Sequence, residues 1–399
     1  MDPIQAVNQE SLYRMVAGIE GVKHPVITPD ALDAAGDRVA GWMEDYGLSV
    51  REQEFTIDGW DAPFRNIEGT IGPVGEKPAA VLMAHYDTVA TTPGANDNGA
   101  GCAVILEAGR ILAQMSDPPP VYIVTASLEE NNNPMIWVPE RESALKHKIQ
   151  DRDFRYTSWT VAKAHKALWN IAYREYYAGK SYAEGLLAGL AELGDRVPAN
   201  VRAHIEEIAP LYDGLDVLGS MGVMNRIGSG RWVDEALKDG KELVFNITVD
   251  EPGIFRTEPF SQGLLGGMGF EIFTHQFGLD VENRVGDFIM LATHLPSSPL
   301  GSVYAEHCQN ADINLPYGWA DVPLSFEQIV QNLPLGLNSD HAHFWRNDIP
   351  ALFVFDSSNA RDPYVHTMAD TVDKLNFDRL AQVTQALVAT LLDERPYKN

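Results

Sequence analysis

Cysteine is almost absent: Cys102 and Cys308 are the only two in 399 residues. Two thiols build no disulfide framework, and Cys102, in an apolar, alanine-rich run, reads as a buried core thiol. Basic residues are scarce as well. Thirty Lys and Arg stand against 56 Asp and Glu, a formal net charge of −26. A surface this acidic repels nucleic acid and anionic membranes, so neither is expected as a partner, and the plain consequence of the charge is solubility. No uninterrupted apolar run approaches the length of a membrane span. The opening MDPIQAVNQESLYRM lacks the basic start and apolar stretch of a secretory signal. The expected setting is cytoplasmic. Internal repeats and low-complexity tracts are also missing.

What is present is an ordinary globular composition, 45% hydrophobic and 22% charged. Helical spacing predicts helices over 9–22 and 29–47, the second opened by Thr28, Pro29 and Asp30. Strand-like runs follow at 48–55, 66–71 and 79–84. The last, AAVLMA, is apolar throughout, as a central strand buried on both faces must be. A helix over 98–115 and a second buried strand over 121–126 complete a strand–helix–strand unit, which implies a mostly parallel sheet flanked by helices. The pattern then changes. From 133 to 225 the chain shows helical stretches rich in Ala, Leu, Trp and Tyr, at 158–178, 182–193 and 200–212, and no convincing strand. Strand signals return at 242–249, 287–293 and 350–355, and an amphipathic helix over 378–392 closes the chain. The reading is a mixed, mostly parallel α/β domain formed by 1–132 and 226–399, interrupted by a helical insertion at 133–225.

The chemistry-bearing residues sit at strand ends, where sites form in open α/β sheets. His85 and Asp87 follow AAVLMA directly, in HYDTV. Asp97 lies in PGANDNGAG, a Gly-rich turn that opens a helix. Glu129 and Glu130 follow VYIVTA, Asp250 follows LVFNITV, and His366 comes after PALFVF in DPYVHTMADT. Singly, each has a bland reading: a His-x-Asp surface pair, a solvated Glu-Glu, an Asp-Asn-Gly turn. Jointly, five segments deliver His, Asp and Glu to one sheet edge. Zinc accepts imidazole nitrogen and carboxylate oxygen, and a pair of ions needs a shared carboxylate. Asp97 is the expected bridge. One ion takes His85 and Asp250, the other Glu130 and His366. Asp87 is placed to hold the His85 ring in its metal-binding tautomer. Glu129 is the expected general base, passing a proton from water to a leaving amine.

Together HYDTV, PGANDNGAG, LEE, VDEPG and YVHTMADT resemble the zinc aminopeptidase family that also contains glutaminyl cyclases and glutamate carboxypeptidases. The resemblance runs from about residue 79 to the C-terminus and skips the insertion. It implies two zinc ions, although cobalt and manganese suit the same ligands, and hydrolysis of the N-terminal peptide bond of a peptide substrate. The segment SDHAHF is similar to one near the family's substrate pocket, which makes Asp340 and His341 candidate substrate contacts. Asp340 has an equal alternative role in orienting nearby backbone. The departures are NNNP and about 90 inserted residues after Glu130, too many for a simple loop; His343 where relatives often carry Pro; and Glu251-Pro252 after Asp250, with Glu251 a rival ligand. Related families insert a dimerisation domain after the fourth ligand or a small β domain before the bridging Asp. This chain does neither, which favours the aminopeptidase-like branch.

Three alternatives remain open at this stage: a glutaminyl cyclase-like acyltransferase, which commonly uses one zinc, a carboxypeptidase on the same fold, and a non-catalytic scaffold. The insertion is expected to form a lid or a homo-oligomer contact, motivated by Trp159, Trp169, Tyr173, Tyr176 and Tyr177. The competing reading is that these aromatics fill the insertion's own core.

Overall fold

The computed structural model describes residues 2–398. After helices α1 (Gln9–Ile19) and α2 (Pro29–Asp45) come strands β1 (Ser49–Phe55), β2 (Phe64–Ile71) and β3 (Ala79–His85). A tight turn leads into α3 (Gly101–Leu112), and β4 (Val121–Ala126) follows. The segment that the sequence reads as an insertion holds α4 (Pro134–Lys146), α5 (Trp159–Tyr177), α6 (Tyr182–Leu193), α7 (Ala199–Ile208) and the short α8 (Val217–Ser220). The chain returns through α9 (Ile227–Lys238) to β5 (Leu243–Val249), then β6 (His275–Phe277) and β7 (Ile289–His294). It ends with α10 (Ser298–Cys308), β8 (Tyr317–Val322), α11 (Phe326–Asn332), α12 (His341–Arg346), β9 (Ala351–Phe355) and α13 (Phe377–Leu392).

The strands form one mixed sheet in the order β1-β2-β4-β3-β5-β9-β7-β8-β6. Its centre, β4-β3-β5-β9, is parallel throughout, so these four strands end at the same edge. Antiparallel pairings lie toward the flanks, where β2 meets β4 and β7 meets β9. The period of two along β3 explains its apolar run. Ala80, Leu82 and Ala84 point into a core shared with α1, α2, α3, α10 and α13, while Ala79, Val81 and Met83 point into a second core on the opposite face. That second core joins Trp232 of α9 and Phe344 of α12 to Leu168, Leu186 and Ile205 of α5, α6 and α7. The helices of 133–225 therefore bury their apolar stripes in a core continuous with the sheet. Local sequence sets their starts: Ser158 accepts the Val161 N–H, and Ser181 with Glu184 forms a capping box. Among the described residues no helix is long and apolar enough to cross a membrane.

Candidate metal centre

The four parallel central strands bring their carboxyl ends together, and each delivers part of one cluster. His85 ends β3, Glu129 and Glu130 follow β4, Asp250 follows β5, and the loop after β9 carries His366. Asp97 enters from the turn before α3, and several contacts hold that turn. The Asn96 and Asp97 N–H groups donate to the Asp370 carboxylate at 2.7 and 3.2 Å, and Asn98 donates to the Val249 carbonyl at 2.9 Å. The glycine at 101 is required by this close approach. A Cβ there would lie 2.1 Å from Asn98 Oδ1 and 2.4 Å from the Val249 carbonyl oxygen.

Two ligand groups result, and Asp97 belongs to both: His85 with Asp97 and Asp250, and Asp97 with Glu130 and His366. Asp97 Oδ1 lies 3.4 Å from His85 Nε2, and its other oxygen, Oδ2, lies 3.1 Å from His366 Nε2. His85 Nε2 is 3.3 Å from Asp250 Oδ1, and His366 Nε2 is 3.4 Å from Glu130 Oε2. Glu129 stands in neither group, with Oε2 4.0 Å from His85 Nε2. His366 is half-exposed, and the other members of the two groups are buried.

Asp87 is fully enclosed behind the cluster. Its carboxylate approaches His85 Nδ1 at 3.5 Å, and its backbone carbonyl comes closer, at 3.3 Å. The stronger bonds of the carboxylate go elsewhere. It accepts the Glu129 N–H at 3.0 Å, the Glu130 N–H at 3.4 Å and the Asn132 amide at 3.0 Å. Asp87 thus holds the Glu-Glu segment as well as the ring. That segment is fixed from its other side by the N–H groups of Arg226, Ile227 and Gly228, which donate to the carbonyls of Glu129, Leu128 and Ser127. Ser339 Oγ donates to Asp250 Oδ2 at 2.7 Å.

Burial opposes charge on every one of these groups, and neighbours decide the outcome. Against that burial, Asp250, Asp87 and Asp97 raise the His85 imidazole well above its ordinary value, and Glu130 and Asp97 do the same for His366. Asp97, also against its burial, is held well below the carboxylate range by the two imidazoles. Glu129 goes well above that range, through burial and the carboxylates of Asp340, Glu130 and Asp250, with His85 offsetting part of the rise. Burial and Asp97 push Glu130 up to about 7, and burial pushes Asp340 up to about 6.

The donor set fits a pair of zinc ions. Each group mixes imidazole and carboxylate, the combination zinc takes, and one carboxylate aims an oxygen at each half. Tetrahedral zinc with bonds of about 2.0 Å sets its ligand atoms roughly 3.3 Å apart, close to the 3.1–3.4 Å contacts found here. Glu130 Oε1 is buried with no hydrogen-bond partner, a free donor atom that a cation would satisfy.

The residues expected to contact substrate sit deeper. Asp340 and His341 are both 0% exposed. His341 bonds through Nε2 to the Gly336 carbonyl at 2.9 Å and stacks on Phe353, and burial pushes it down to about 3. A ring so enclosed offers no surface to a substrate, and Asp340 is equally covered. Glu251 is no rival within either group. Its Oε1 accepts from Ser358 Oγ at 3.0 Å, while Oε2 is buried without a partner. Four further residues support the site without having stood out in the sequence: Asn132, Ser339, Asp370 and Lys23. Lys23 is buried and donates to the Gly21 and Pro93 carbonyls on either side of the turn. Asn132, Ser339 and Asp370 lie in segments quoted above, NNNP, SDHAHF and DPYVHTMADT, but nothing in those segments marks them as supports, and Lys23 lies in none.

Comparisons with known proteins agree with the fold. The model of Peptidase family M28 matches residues 66–139 and 320–391. Of the five candidate ligands, only Asp250 falls outside those blocks. The chain is 22% identical over 398 residues to the Escherichia coli protein YfbL, covering 97% of this chain and 88% of that one. Among solved structures, the Legionella pneumophila LapA aminopeptidase superposes with a TM-score of 0.55 at 14% identity, over 98% of this chain and 73% of that one. Glutaminyl cyclase of Porphyromonas gingivalis does so with a TM-score of 0.53 at 17% identity, over 98% and 99%. The resemblance carried by the motifs therefore holds in two matched sequence blocks and in fold: the chain is similar to Peptidase family M28 over 66–139 and 320–391, and its fold is that of solved aminopeptidases and glutaminyl cyclases.

Proposed function

We propose that the protein is a di-zinc exopeptidase that removes the N-terminal residue of peptides, with Glu129 as general base. One observation carries the reading: the two oxygens of Asp97 face two imidazoles from different strand ends, each paired with a second carboxylate, while Glu129 stands beside both groups and inside neither. When bound, two divalent ions would supply Lewis-acid activation of a water and of the scissile carbonyl. His85, Asp250, Glu130 and His366 would hold them, with Asp97 between. Glu129 takes a proton from the attacking water and returns it to the leaving amine. Its raised affinity for a proton suits the second half of that cycle, and its backbone is fixed from both sides by Asp87 and Arg226.

Charge supports an amino- over a carboxypeptidase. The cluster is lined by carboxylates, which attract a substrate end that is positive. Three buried cations, Lys23, Arg226 and Arg361, all donate to backbone carbonyls. Each thereby spends donors internally, with Arg226 Nε and Arg361 Nη2 left without a partner, and none belongs to either ligand group, whereas a substrate carboxylate needs a cation beside the centre to receive it.

The test is a panel of aminoacyl and N-blocked dipeptide substrates with and without chelator, run on wild type and Glu129→Gln. Free-amine substrates should be cleaved, blocked ones spared, and chelator should stop turnover. Glu129→Gln should lose about 10²–10⁴-fold in kcat and keep its metal by elemental analysis. Retained turnover in that variant would remove Glu129 from its role. The likeness to glutaminyl cyclase gives a second reading, and a peptide with N-terminal glutamine separates the two. Release of ammonia with one metal per chain would favour cyclisation.

A further inference from the structure

Beside the centre lies a cavity of about 330 Å³, bounded by the loops after β3 and β4 on one side and by α4, α5 and α7 on the other. Two of its lining residues touch the site. Thr91 lines it and donates to the His366 carbonyl at 3.0 Å, and Asn132 lines it while donating to Asp87. Tyr173 lies on its wall. The walls are aromatic, with Trp169 and Tyr212 packed edge to face at 5.5 Å.

Charge inside the cavity is unevenly satisfied. Arg141 is committed: its guanidinium lies 4.1 Å over the Phe154 ring and donates to Gln150 and the Asp151 carbonyl. His165 bonds to Tyr156 and Trp169, and His204 to Ser143; burial pushes their pKa values down to about 4 and about 3, so both rings are neutral at pH 7. Glu140 differs. Its carboxylate accepts the Tyr212 hydroxyl and makes no ion pair with any of the described basic residues. A carboxylate on an aromatic-walled cavity, with a hydroxyl as its partner, is a receptor for a cation carried on an apolar stem.

We propose that this cavity receives the side chain of the substrate's N-terminal residue, and that it selects lysine or arginine, with Glu140 as the counter-charge and the aromatic rings around the alkyl stem. The inference rests on the exopeptidase reading. It also gives 133–225 a task, because residues of that segment build most of the pocket.

The zinc-loaded protein should be assayed on arginyl, lysyl, leucyl and phenylalanyl 4-nitroanilides. Arginyl and lysyl substrates should lead in kcat/KM by about tenfold or more, and Glu140→Gln should lower them roughly 10- to 100-fold and remove their lead over the leucyl substrate. Leucyl or phenylalanyl preference, or indifference to Glu140→Gln, would overturn the pocket assignment and leave the exopeptidase reading standing. Cleavage of none of the four would instead count against that reading. A binding arm keeps the two apart and covers a Glu140→Gln protein that fails to fold. Zinc-loaded Glu129→Gln protein is titrated calorimetrically with arginine amide and leucine amide. Arginine amide should bind about tenfold tighter, and equal binding would refute the pocket whatever the turnover.

Discussion

Asp87 shows how one buried carboxylate can act through its neighbours. It receives three donors, two of them the backbone N–H groups of Glu129 and Glu130, from a position with no solvent contact. Replacing it with asparagine turns one acceptor oxygen into a donor that faces other donors. Asp87→Asn should lower kcat about 10- to 100-fold through misplaced metal and base, with a smaller change in KM. It should cost about 1–3 kcal/mol of stability for the unsatisfied groups. Steady-state kinetics and thermal melts check both, and wild-type kcat in this variant would show that Asp87 positions nothing. The pattern of legible and illegible residues has the same root. His85, Asp97, Glu129, Glu130, Asp250 and His366 could be found because metal-type residues at successive strand ends are a pattern. Asn132, Ser339 and Lys23 have no such signature, and Asp370, a metal-type residue in a quoted motif, accepts backbone N–H groups instead, since these roles depend on which backbone groups the fold sets opposite them. Asp340 and His341 lie in a motif near the site, yet the short helix α12 turns them into the core.

At the scale of elements, apolar strands were read well and short polar ones were missed. The strand at 121–126 matches β4 residue for residue because both of its faces are buried. β8 went unread, since YGWADV mixes glycine and aspartate into a strand whose burial comes from neighbours on either side. The helix expected from residue 98 begins at Gly101, because the preceding turn is shaped by the Asp370 and Val249 contacts. Some aromatics of 133–225 fill the core, as one of the two readings expects. Tyr176 and Tyr182 stack at 4.0 Å in the buried core, whereas Trp169 and Tyr173 also line the cavity and Trp159 is exposed. Because Leu168 belongs to the same core as Val81 and Met83, the helices should melt with the sheet. Leu168→Ala, at a fully buried position, should cost about 2–5 kcal/mol and lower the urea midpoint in a single transition that coincides by fluorescence and circular dichroism. An early, separate transition that leaves activity intact would show that 133–225 folds on its own.

For the molecule as a whole, the excess of acid has a focus. The chain carries a formal charge of −26, and the centre packs Glu129, Glu130, Asp250, Asp340 and Glu251 around two imidazoles. Without metal, Glu130 is pushed up to about 7 and Asp340 to about 6, and Glu129 and Glu251 lie well above the usual value. A carboxyl whose folded pKa exceeds its unfolded one holds more protons in the folded state, so its contribution is full below the unfolded pKa and is lost as pH rises through the folded one. The imidazoles of His85 and His366, raised in the same state, act in the same direction, and Asp97, held low, opposes them. The metal-free protein should therefore lose stability from about pH 5 to about pH 8. Bound cations replace the lost protons, and deprotonated ligands bind them more tightly as pH rises. The histidines at 24, 165, 204 and 294, kept neutral by burial away from the two ligand groups, contribute equally with and without metal and cancel in the difference. Calorimetry with and without chelator should show a drop in Tm that is small at pH 5 and grows toward pH 8. A drop that is constant with pH, or largest in acid, would mean that these carboxylates are not the groups the cations neutralise.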